Sequence, residues 1–179
     1  MQAPDRDHWH GRQVTAQALS PSDEAAGRRW MWGGVFLGLG LGGFFDGIVI
    51  HQILQWHHMV SSEYLPNSVR NLQINTFADG LFHAVTYVFT VLGVFLLWAG
   101  TRSQHATWRT PALIGTLLFG WGLFNVVEGL IDHQILGVHH VRPGPYQLAY
   151  DVAFLIWGAG MLLVGWRLMR RPAEKTLPH

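Results

Sequence analysis

One fourteen-residue stretch occurs twice, and it limits what the chain can fold into. It runs Phe45-Asp46-Gly47-Ile48-Val49-Ile50-His51-Gln52-Ile53-Leu54-Gln55-Trp56-His57-His58 and returns, 82 residues on and without a gap, as Val127-Glu128-Gly129-Leu130-Ile131-Asp132-His133-Gln134-Ile135-Leu136-Gly137-Val138-His139-His140. Both copies read acid-Gly-x-x-x-His-Gln-Ile-Leu-x-x-His-His. Eight matched positions of this kind rarely arise by chance, and a repeat of this size makes the chain two copies of one unit.

Four apolar segments carry the repeat: about 30–56, 77–100, 110–137 and 147–166. Each has roughly the 20 residues that cross a bilayer. Only 13% of the 179 residues are charged, and these gather between and outside the segments. A soluble bundle would carry a polar stripe along each helix; here the segments are apolar all round except at special positions. The expected fold is all-α: an integral membrane four-helix bundle, made of two tandem helical hairpins related by a pseudo-twofold axis along the membrane normal. Residues 1–29 read as a flexible cytoplasmic tail and 30–168 as the membrane domain, with repeats over about 30–100 and 110–168. A basic cytoplasmic tail takes up 169–179.

Lys and Arg set the orientation. Ten lie in the two tails, at Arg167 just before the second and in the 101–109 turn, against two, Arg70 and Arg142, in the His-rich loops. Both termini are therefore expected in the cytoplasm and the His-His loops outside, which in a bacterium is the outer side of the inner membrane. A net charge of +1 gives no case for nucleic acid. With no cysteine, disulfides, thiolate metal sites and iron–sulfur clusters held by this chain alone are excluded. Gly34, Gly38 and Gly42 form a small-xxx-small stripe that admits a second helix, in this chain or in a second copy.

The chemistry lies in the spans. Asp46, Asp79, Glu128, Asp132 and Asp151 are placed where a carboxylate costs about 2.5–3.5 kcal/mol on insertion scales, and no Lys or Arg within a span pairs with them. They must be protonated, touch water, or meet a cation from outside the chain. His51, His83 and His133 fall in one layer about 7–10 Å beneath the outer boundary at 1.5 Å per helical residue. Imidazoles and carboxylates converging from four helices resemble a transition-metal site in a bundle core. The expected ligands are His51, His83, His133, Asp79 and Glu128. Asp46, Asp132 and Asp151 are further ligands or partners that orient imidazoles. His57, His58, His139 and His140 read as membrane-surface pairs, forming a second site or passing metal inward; the bland alternative is interfacial polar residues.

The donor set favours zinc, iron, manganese or Cu(II) over Cu(I). The spacings depart from the soluble carboxylate bundles, which use Glu-x-x-His: helix two carries Asp79 and His83 at i, i+4 on one face, and helices one and three carry acid-x4-His, placing His51 about 140° round the helix from Asp46 at 100° per residue. Bis-His haem, between His51 and His133 with room beside Gly47 and Gly129, is the weaker cofactor reading. Single intramembrane histidines are more often hydrogen-bonded core residues, with Gln52 and Gln134 as partners here; the repeated constellation favours metal.

The double motif, with the intervening Ala78-Asp79-Gly80-Leu81-Phe82-His83, resembles domain-of-unknown-function family 2243, small bacterial membrane proteins, over about residues 30–168. The resemblance implies a four-helix membrane protein and carries no reaction. Two classes of function follow from the residues. One is redox, oxygen or hydrolytic chemistry at a bound metal. The other is non-enzymatic metal handling as a chaperone, sensor or uptake protein.

Overall fold

A computed structural model describes residues 20–102 and 109–170. The readings for 1–19, 103–108 and 171–179 lie outside the described residues. Four helices form the domain: α1 (Pro21–Phe45), α2 (Val69–Gly100), α3 (Thr110–Glu128) and α4 (Gln147–Met169). Two π-helical segments, Asp46–Ile53 and Gly129–Ile135, continue α1 and α3. With these extensions all four are long and apolar enough to cross a membrane.

α1 begins well before residue 30. The Ser20 hydroxyl accepts from the Asp23 amide, Pro21 takes the first turn, and Asp23 and Glu24 lie at the positive end of the helix. Apolar content marks where a helix enters lipid, and the polar first turns stand outside that signal. α2 likewise starts at Val69, behind the capping Ser68 hydroxyl that accepts from the Asn71 amide.

α1 packs on α2 and α3, and α3 packs on α4. The glycine stripe serves the α1–α3 contact inside the chain: Gly34 faces Thr116, Gly38 faces Leu117 and Gly120, and Gly42 faces Trp121 and Phe124. A Cβ on Gly38 would stand 3.0 Å from the Gly120 Cα, so these two backbones touch only because both lack side chains. The expected use of this stripe by a second copy is thereby corrected, since α3 of the same chain fills it. Outward, Phe77, Leu81, Val85 and Val88 of α2 and Leu148, Val152 and Ile156 of α4 are exposed, the surface a lipid-facing helix presents.

The fully buried side chains are polar. His51, His139, Asn75, Asn125, Thr86, Thr116, Asp79 and Asp151 are the largest with almost no exposure. The apolar exterior and polar interior reverse the soluble pattern.

Candidate metal centre

The two π segments build the site. Their i→i+5 bonding stacks residue i beneath residue i+5. Asp46 and His51 are five apart, as are Glu128 and His133. The Asp46 Oδ2–His51 Nε2 distance is 3.0 Å and Glu128 Oε1–His133 Nε2 is 2.9 Å. The acid-x4-His spacing, divergent on an α-helix, is convergent on a π-helix.

Each π segment then stops in the same way. Gln55 and Gly137, equivalent in the repeat, take left-handed backbone with φ of 50° and 61°. The Leu54 amide bonds Val49 O and the Trp56 amide bonds Ile50 O; the Leu136 amide bonds Ile131 O and the Val138 amide bonds Asp132 O. A left-handed residue just past a helix end turns the chain away. The turn brings His57 back beside His51 and His139 beside His133, with ring centroids 4.4 and 4.8 Å apart. His57 and His139 stack on each other at 4.5 Å and 17°.

The loops are cross-fastened. His57 Nδ1–H donates to Val141 O at 2.9 Å, and His139 Nδ1–H donates to Met59 O at 3.1 Å. The Ser62 amide bonds Val138 O at 3.0 Å, and the Arg142 guanidinium lies over Trp56. A carbonyl only accepts, so each Nδ1 carries the proton. In the neutral ring Nε2 is then a lone pair. Burial, reinforced by the His139 and His51 rings, holds His57 far below the usual imidazole range, at about 2, so it is neutral.

Asp79 and Asp151 clamp from outside the cluster. Asp79 accepts from His51 Nδ1 at 2.9 Å, His58 Nδ1 at 2.7 Å and the Met59 amide at 2.8 Å. Asp151 accepts from His140 Nδ1 at 2.8 Å and the Val141 amide at 3.0 Å, with His133 Nδ1 at 3.7 Å. Phe82 and Phe154 lie against the His51 and His133 rings.

What remains is a set of buried donor atoms without hydrogen-bond partners: Asp46 Oδ1, His51 Nε2, His57 Nε2, Glu128 Oε2, and both ring nitrogens of His133. His51 and His133 are within 3.0 Å of a carboxylate, yet the angles are wrong for hydrogen bonds. His139 Nε2 also faces Glu128 Oε1 at 2.9 Å. Buried polar atoms are otherwise satisfied as a rule, and a cation between these groups would satisfy them. Two groups, His51–His57–His139 and Glu128–His133–His139, have donor atoms close enough to hold a metal ion.

Of the expected ligands, the structure gathers His51, His133, Asp46 and Glu128, and draws in His57 and His139 from the supposed surface pairs. It sets Asp79, Asp151, His58 and His140 one layer out. Asp132 is half-buried beside His133. His83 does not join: its Nδ1–H bonds its own helix at Asp79 O, 2.8 Å away, and its ring stacks on Phe44. The space beside Gly47 is taken by His83 and Phe82, and that beside Gly129 by Leu155 and Phe154. The inward placement of His57 and His139 had one sequence signal, Gly137 as a helix stop, which Gln55 conceals in the first copy. The anchoring carbonyls of Met59 and Val141 had none.

Four membrane-length helices around a buried histidine and carboxylate core define a helical membrane protein whose interior could hold metal. Residues 33–172 match the model of the predicted membrane protein family DUF2243, and the chain belongs to that family. No curated protein and no solved structure matches the chain.

Proposed function

We propose that this is an integral membrane metalloprotein holding one or two transition-metal ions through histidine and carboxylate near the outer membrane surface. The observation that carries the reading is the convergence of buried, unpartnered donor atoms from Asp46, His51, His57, Glu128 and His133. Imidazole with carboxylate suits zinc, Cu(II), iron or manganese. Such an ion would serve as Lewis acid or redox centre, with Asp79 and Asp151 orienting the imidazoles around it. Redox, oxygen or hydrolytic chemistry fits that arrangement.

The charge asymmetry of the loops supports an inner-membrane location with both termini in the cytoplasm. The paired contacts of Asp79 with His51, His58 and the Met59 amide, and of Asp151 with His140 and the Val141 amide beside His133, support a pseudo-twofold axis along the membrane normal. Metal handling without catalysis is the second reading. It is favoured by the His58 and His140 side chains, 13% and 23% exposed, which lead through one carboxylate each to the buried rings.

Elemental analysis of the detergent-solubilised protein, with a visible spectrum of the same sample, tests the proposal. Stoichiometric zinc, copper, iron or manganese is expected. Absence of all four after reconstitution would overturn it, and a Soret band with iron would replace it with haem.

A further inference from the structure

We infer that the centre is dinuclear, with one ion held by Asp46, His51 and His57 and a second held by Glu128, His133 and His139. The inference rests on the metal reading above and fixes the number of ions it leaves open.

Each triad is complete within one copy of the repeat, and the two copies use the same three positions. Two ligands about 2.0–2.2 Å from one ion stand about 2.8–3.6 Å apart at ordinary coordination angles. Glu128 Oε1 is 2.9 Å from both His133 Nε2 and His139 Nε2, the edges of one coordination shell. Asp46 offers Oδ2 at 3.0 Å to His51 Nε2 and Oδ1 at 4.0 Å to His57 Nε2, the second too wide for one shell until His57 and the acid close on the ion. Three protein ligands per ion leave an open position on each, as catalytic zinc sites do.

Charge favours two ions over one. Four carboxylates, Asp46, Asp79, Glu128 and Asp151, are buried in this layer, and no Lys or Arg lies in the spans around them. Two divalent ions match four carboxylates with every imidazole neutral. A single divalent ion would leave two of these carboxylates to be neutralised by protons, at the cost that burial in the membrane imposes. The His57 ring of one triad stacks on the His139 ring of the other, so the ions are neighbours.

The test is metal content of the full-length, detergent-solubilised chain, stripped with chelator, reloaded with Cu(II) or Mn(II) and washed free of excess. Two ions per chain are expected in the unaltered protein, and one in each of His51→Ala and His133→Ala. One ion in the unaltered protein, lost entirely in either variant, would overturn the dinuclear assignment and leave the metal reading standing. No ion in the unaltered protein would overturn both. Should the variants fail to fold, the unaltered protein still decides. At saturation its electron paramagnetic resonance spectrum should be that of a spin-coupled pair, and two magnetically isolated ions would refute the assignment.

Discussion

The two halves of the centre make the same contacts with different slack. Asp79 grips His51 at 2.9 Å, whereas Asp151 stands 3.7 Å from His133. Glu128 reaches two imidazoles with one oxygen, whereas the shorter Asp46 spreads two oxygens over two. Gly137 makes its turn freely, whereas Gln55 makes the same turn with a side chain. In the first half the orienting clamp is tight and the ligand acid loose; in the second the order is reversed. Two halves of one cluster therefore need not match contact by contact, since slack at one position is offset at another.

The largest test of this comparison removes a shared element. His139→Ala should strip its own half and loosen the other, because His57 and His139 stack. At free metal 100-fold above Kd, metal lost from one site removes about 2.7 kcal/mol of stabilisation, read as a fall in Tm that chelation of the unaltered protein reproduces. A Tm unchanged by both would deny the coupling. Next, Asp79→Asn should weaken metal binding about 10–100-fold, the usual cost of losing an outer partner, and Asp151→Asn should cost less. Equal losses would show that the difference between 2.9 and 3.7 Å has no energetic meaning.

Acid gives a third test, on metal-free protein. His57 stays neutral when folded, with its pKa down at about 2, but takes up a proton near its ordinary 6.5 when unfolded. The unfolded state then binds more protons below pH 6.5. Stability is full above that value and is lost on acidification by about 1.4 kcal/mol per pH unit from this group. A flat profile from pH 6.5 to 4.5 would mean that His57 protonates in place. Smaller still, Gln55→Gly should stabilise by up to about 1 kcal/mol by relieving left-handed backbone, and Gly137→Ala should cost about as much. Finally, His83→Leu, which places in the first half the residue type found at Leu155 in the second, should leave metal content unchanged. Loss of metal there would return His83 to the ligand set.

The spans, and most residues of the buried histidine and carboxylate cluster, were legible because burial in lipid leaves a composition signal. The geometry joining them was not. A π segment has no residue preference that sets it apart from an α-helix, so Asp46 and His51 read as 140° apart when they stack. His57 reads as surface because nothing in the sequence stops the helix at Gln55, a residue type that seldom accepts positive φ. His83 read as a ligand because its i, i+4 relation to Asp79 is sound, but the partner it meets is the Asp79 carbonyl, not the carboxylate.

The crossed anchors have a consequence for biosynthesis. His57 is seated by the carbonyl of Val141 and His139 by that of Met59, so each hairpin carries the rings and the other supplies their seats. A ribosome releasing the first hairpin delivers an unfinished half, whose inner histidine stays unseated until Val141 has emerged some 84 residues later. Assembly of the cluster therefore waits for the whole domain, and neither hairpin released alone could seat its inner histidine.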